Sequence, residues 1–181
     1  MKKIYILLSR TQSILSKTVH LLTADQYTHA AIAFDEDLHD LYSSARWDGI
    51  TMFPSGPCQE YLHQGFYSYA NTPCAVYELQ VDDEVYEQAK AEVSQIIDQQ
   101  NRYYFNIIGL LLCRMNIPFR RSNRFFCSQF VGEILLRSGA LTLPKDPSLL
   151  RPSDYMDLPE LNFLFQGYTS QLVGKNINEV A

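Results

Sequence analysis

Charge is sparse in this 181-residue sequence. Asp, Glu, Lys and Arg together make up 19% of it, and fifteen basic against twenty acidic residues leave a net charge of −5. A duplex needs a basic footprint across the binding face, so this balance argues against nucleic acid as a partner. Glycine and proline are held to eight each, which excludes collagenous and low-complexity chains. Long apolar runs are missing too. The longest after the N-terminus, Ile107 to Cys113, falls far below the ~18 residues of a spanning helix, so no integral membrane segment is expected. Lys2-Lys3 followed by Ile4 to Leu8 begins like a secretory signal. The apolar part stops at Ser9-Arg10, short of the ~7–15 residues such a signal needs, and the segment reads as a buried strand of a cytoplasmic protein. The four cysteines, Cys58, Cys74, Cys113 and Cys127, form no C-x-x-C pair, which disfavours a disulfide framework and a zinc site alike. Phosphate-binding glycine loops, H-E-x-x-H and G-x-S-x-G are all absent. Neither cofactor nor metal is expected.

What is present describes one globular domain, with 46% hydrophobic and 13% aromatic residues and no repeat or linker. The first half reads as strands: Ile4 to Leu8, then Thr28 to Phe34 and Leu38 to Ala45 forming a hairpin about the turn Asp35-Glu36-Asp37, then Ala75 to Val81. Between them, residues 52–71 carry Pro54, Gly56, Pro57 and Gly65 and read as a long irregular connection. The second half reads as helices. Asp82-Asp83-Glu84 opens one that runs to about Gln100, with Val85, Ala89, Val93, Ile96 and Ile97 on one face. A second covers Tyr103 to Cys113, and a third runs from Cys127 to Ser138 and ends at Gly139. The fold class is α+β. An antiparallel sheet packs against the third helix, and the first helix covers another face.

Cys127 opens a helix, where unpaired N–H groups and the positive dipole end favour a thiolate. Cysteine is also a common core residue, and position alone does not distinguish the two roles. Arg120, Arg121 and Arg124 just upstream suit either thiolate stabilisation and anion binding or a solvated basic loop. A thiolate nucleophile needs a base, and His29, heading an apolar strand, is better placed than His20, His39 or His63, which read as surface or packing residues. A core histidine bonded to backbone is the structural alternative for His29.

Tyr27-Thr28-His29 at the head of a strand, followed about a hundred residues later by Phe126-Cys127-Ser128-Gln129-Phe130-Val131 opening a helix, resembles one family. It is similar to the circularly permuted papain-like cysteine enzymes of the NlpC type, which include YiiX-like amidases and lecithin:retinol acyltransferase-like enzymes and place His before Cys. The resemblance covers roughly Lys2 to Ser138 in element order, with the two short segments as its sharp motifs.

The resemblance implies that Cys127 is the acylated nucleophile and His29 the general base. Tyr27 corresponds to a tyrosine of the acyltransferase-like branch; two residues from His29 on a strand, it would share that face and help hold an oxyanion, or else be an amphipathic tyrosine at a sheet edge. The family carries a His or Glu on the strand after the His strand. Here that stretch is Leu41-Tyr42-Ser43-Ser44-Ala45-Arg46, which holds neither, so Ser43 is the preferred third catalytic residue, with Ser44 or Glu60 as alternatives. The implied activity is a cysteine hydrolase, an amidase or peptidase acting on a peptide, amide or lipid-ester substrate through an acyl-enzyme. Two rivals stay open. One is a lipid-acting acyltransferase, for which Phe66 to Tyr69 and Tyr103 to Leu112 offer candidate membrane-contacting stretches, the latter better explained by buried packing. The other is a binding domain on the same scaffold without catalysis.

Overall fold

The computed structural model describes residues 1–10, 25–47, 54–64, 67 and 71–180. His20, residues 52–53 and all of 66–69 except Tyr67 therefore lie outside the described residues. The architecture is α+β. Six antiparallel strands form the main sheet in the order β4-β3-β2-β1-β5-β8: β1 (Lys2–Ser9), β2 (His29–Ala33), β3 (Leu41–Arg46), β4 (Ser55–Glu60), β5 (Pro73–Val81) and β8 (Asn162–Tyr168). Two-residue strands β6 (Tyr104–Phe105) and β7 (Arg124–Phe125) pair in parallel apart from it. The α-helices among the described residues are α1 (Asp83–Asp98), α2 (Ile107–Arg114) and α3 (Cys127–Arg137).

The central strand β1 is buried from Ile4 to Ser9 because both faces of the sheet are covered, which is why it lacks polar alternation. On one face, Ile4, Ile6, Leu8 and Ile32 join α1 through Ala89 and Val93, and α3 through Phe130 and Ile134, in a single apolar cluster. Both helices thus lie on the same side. The expectation that α1 covers another face is corrected: its stripe of Ala89, Val93 and Ile96 fits beside the apolar stripe of α3. The opposite face carries Tyr5, Leu7, Ala31, Leu41 and Val76, closed over by Leu62, Tyr67 and the C-terminal residues Leu172 and Ile177. Each fully buried aliphatic side chain stabilises this arrangement by about 1.5–3 kcal/mol.

Strand β4 falls within the stretch read as irregular. It is an edge strand, where a proline N–H is not required for pairing, and Pro57 sits opposite Ser44 without breaking the ladder. Gly56 answers a separate demand, because a Cβ there would lie 2.9 Å from the Tyr103 carbonyl oxygen and 3.2 Å from Tyr104 Cα. Helix α2 begins at Ile107, four residues later than expected, because Tyr104 and Phe105 pair with β7 and Asn106 caps the helix by accepting from the Gly109 N–H at 3.0 Å. β8 has no counterpart among the expected elements.

Candidate active site

Strands β2 and β3 pair only at Ile32↔Tyr42 and Ala33↔Leu41. Beyond that point, the segment leading into α3 reaches both strands. The Ser44 hydroxyl donates to the Phe125 carbonyl at 2.7 Å, and Cys127 Sγ comes within 4.0 Å of the Thr28 carbonyl oxygen. The parting of the hairpin thus seats the first turn of α3 against the head of β2, where His29 stands. The N-cap residue Phe126 is extended and offers no side-chain acceptor to the first N–H groups of the helix. Cys127 Sγ takes that part instead, hydrogen-bonded by the backbone N–H of Ser128 and, from β2, of Ala30.

His29 Nε2 lies 3.0 Å from Glu60 Oε2, and both side chains are buried. With Nε2 committed to the carboxylate, Nδ1 is the nitrogen left for the hydrogen bond to Cys127. The Tyr67 hydroxyl donates to the same Glu60 oxygen at 3.4 Å. The result is a buried line of Cys127, His29, Glu60 and Tyr67. Cys127 retains 7% and His29 6% of its surface.

Burial works against charge on both central groups, lowering the imidazole pKa and raising the thiol. At His29 the neighbouring Glu60 carboxylate and Cys127 outweigh it, and the pKa is pushed up to about 10. At Cys127 the hydrogen bond and charge of His29, helped by the Ala30 and Ser128 amides, outweigh burial and bring the thiol below its ordinary value. The other three cysteines move the opposite way. Burial raises Cys58 and Cys113 and pushes Cys74 up to about 12. All four thiols are free and buried, so burial does not set Cys127 apart; its polar neighbours do.

The other site expectations meet this geometry unequally. Ser43, preferred as the third residue, is fully buried on β3, and its hydroxyl has no hydrogen-bond partner among the described residues. The partner of His29 is Glu60, the alternative named for that position. Ser44 is committed to Phe125. Tyr27 precedes β2 and does not belong to it, so strand alternation does not carry it to the face of His29. It is buried in the cluster that holds Ala75 and Tyr77, and its hydroxyl accepts from Gln26 Nε2 at 3.2 Å. Arg120 is taken up by Glu133 at 2.7 Å and Asp146 at 3.5 Å. Tyr67 escaped the sequence reading, because nothing in the residues beside it marks it as a neighbour of Glu60.

Asp35, Asp37 and His39 also gather on a turn, but Asp35 is occupied with the backbone N–H groups of His39 and Asp40 at 3.0 and 2.7 Å. Among the described residues, no helix is long and apolar enough to cross a membrane. No protein-family model matches this chain, and no curated protein matches it.

Proposed function

We propose that this protein is a cysteine hydrolase that cleaves an amide or ester through an acyl-enzyme on Cys127. The observation that carries this reading is the contrast among the four buried thiols: only Cys127 is driven toward the thiolate, and it touches a histidine that a buried carboxylate orients. A cysteine kept only for packing has no use for such a partner.

In the first step the Cys127 thiolate attacks the substrate carbonyl carbon. A C–S bond forms, and the carbonyl electron pair moves to oxygen, where the N–H groups at the start of α3 are the available donors. Collapse expels the amine or alcohol, which takes its proton from the His29 imidazolium. His29, now neutral, removes a proton from water as the water attacks the thioester carbonyl carbon; the adduct then collapses with cleavage of the C–S bond, which releases the acid and leaves the Cys127 thiolate beside the His29 imidazolium. Glu60 holds the imidazole orientation and stabilises its charged form throughout. Cell-wall peptides, intracellular amides or isopeptides and lipid esters all satisfy this chemistry.

The test reads the thiol directly. Each cysteine is alkylated across a pH series and followed by peptide mass spectrometry, in wild type and in His29→Ala. The expected result is selective reaction of Cys127 well below the ~8.5 of a free thiol, lost in His29→Ala. Inert Cys127, or a profile indifferent to His29, would remove the basis for an enzyme.

A further inference from the structure

Helix α2 presents an apolar face to solvent. Its buried residues are Gly109 and Cys113, while Ile108 is 55% exposed, Leu111 56% and Met115, which caps the helix, 68%. Those three recur at helical spacing, and Ile117, 43% exposed, is drawn alongside by its N–H bond to the Leu112 carbonyl at 2.9 Å. The expectation that buried packing explains this apolar run is therefore corrected in part: Ile107, Leu110 and Leu112 are half-buried, but Ile108 and Leu111 face solvent.

The charge of this stretch of sequence is one-sided as well. From residue 99 to residue 132 the chain contains five arginines and no Asp or Glu, within a protein of net charge −5. Arg114 is paired with Asp25 at 2.6 Å, and Arg120 with Glu133 and Asp146. Arg102, Arg121 and Arg124 have no carboxylate partner among the described residues. The fold brings them together at the entry to α2. Tyr104 N–H bonds the Asn123 carbonyl at 3.0 Å, Asn123 Nδ2 donates to the Arg102 carbonyl at 3.2 Å, and Arg124 stacks on Tyr104 at 5.0 Å.

We propose that this face, with Ile108, Leu111, Met115 and Ile117 as its apolar centre and Arg102, Arg121 and Arg124 as its basic border, docks onto an anionic lipid surface. A second copy of the chain seated face to face would bring the unpaired arginines of both copies together. An acidic protein surface would answer the arginines and leave the aliphatic side chains unanswered. The interface of an anionic bilayer supplies both, with phosphate or carboxylate headgroups at the level of the arginines and acyl chains beneath for the aliphatic groups. Docking through this face would be independent of the thiol chemistry at Cys127.

Flotation of the intact protein with vesicles of phosphatidylcholine and phosphatidylserine in equal parts, against vesicles of phosphatidylcholine alone, tests it. Binding is expected to the anionic vesicles and to fall as salt is raised. Leu111→Glu should weaken it more than about tenfold. Arg102→Gln and Arg121→Gln should each cost about fivefold. Phe163→Ser, which removes an exposed aromatic from β8, should leave binding unchanged. Far-ultraviolet circular dichroism checks that each variant is folded. The proposal is overturned by failure to bind anionic vesicles, by equal loss in Phe163→Ser, or by full binding in Leu111→Glu, which would reduce the effect to charge alone. A concentration-dependent dimer that Leu111→Glu abolishes, without vesicle binding, would assign the face to a second copy instead.

Discussion

His29 Nε2 and Glu60 Oε2 meet at 3.0 Å although their strands are not neighbours: β3 lies between β2 and β4 in the sheet. The contact is buried and shared with Tyr67, and it fixes which imidazole nitrogen is left for Cys127. The polarisation of the thiol thus depends on a carboxylate carried by an edge strand that has no contact of its own with the sulfur. Several consequences can be measured.

Replacing Glu60 with Gln keeps a hydrogen-bonding group but removes the charge. The imidazolium loses its counter-charge in a buried setting, His29 falls toward its ordinary range, and the thiol rises in response. An opposite charge at this range shifts a pKa by about 1–3 units, so the Cys127 alkylation profile should move to higher pH by about that much. Ser43→Ala should leave the profile where it is. A profile that follows Ser43 and ignores Glu60 would reassign the third position.

The same pair makes stability depend on pH in a set direction. His29 is raised in the folded state, so its contribution is fully present below the unfolded value near 6.5 and is lost as pH rises through the folded value of about 10. Cys127, lowered in the folded state, contributes above the ordinary thiol value and loses that contribution as pH falls through its own. Cys127→Ser removes the second effect. In that background the stability gap between Glu60 and Glu60→Gln proteins, measured by urea unfolding, should be widest near pH 6. It should close toward alkaline pH, starting earlier than in the thiolate protein because one source of the upward shift is gone.

Much of this arrangement is legible in the sequence, and the part that is not has identifiable causes. The buried run Ile4 to Leu8, the hairpin and the stripe of α1 report their surroundings directly, since periodicity follows from which faces are covered. The end of α3 is equally legible, because Gly139 takes a φ of +74° that suits glycine. Strand β4 is hidden because its glycine and proline answer to features the local sequence does not show, namely the backbone of Tyr103 packed against Gly56 and a place at the end of the sheet order, where the Pro57 N–H is not needed for pairing. With β4 unseen, Glu60 reads as a loop carboxylate, and Ser43 inherits its position from strand order alone. Asn106, a favoured N-cap residue, is the signal that would have placed the start of α2 correctly.

Gly56 therefore predicts a cost of its own. A methyl group at that position meets the Tyr103 carbonyl oxygen at 2.9 Å, and this is backbone that has no rotamer to escape into. Gly56→Ala should force β4 and the entry to β6 apart and destabilise the protein by about 1–3 kcal/mol, the range for overpacking. Because Glu60 lies on the same strand, the Cys127 alkylation profile should move as well, in the direction seen for Glu60→Gln. Loss of stability with an unmoved profile would mean that Glu60 holds its place independently of β4.

Adjacent serines on β3 give the sharpest contrast. Both are fully buried, but Ser44 donates to the Phe125 carbonyl at 2.7 Å while the Ser43 hydroxyl has no partner among the described residues. The Phe125 carbonyl also accepts from the Asn106 N–H at 3.1 Å, so Ser44→Ala does not orphan it, and the loss should stay near the ordinary value of about 0.5–1.5 kcal/mol. Ser43→Ala removes a buried hydroxyl that gains nothing from its surroundings, and stability should hold or rise. Ser44 also ties β3 to the segment that delivers Cys127, so its replacement should slow Cys127 alkylation, whereas Ser43→Ala should not. Equal losses of stability in the two variants, read from urea midpoints at unchanged slope, would show that Ser43 has a partner in solution and would restore it as a candidate for the site.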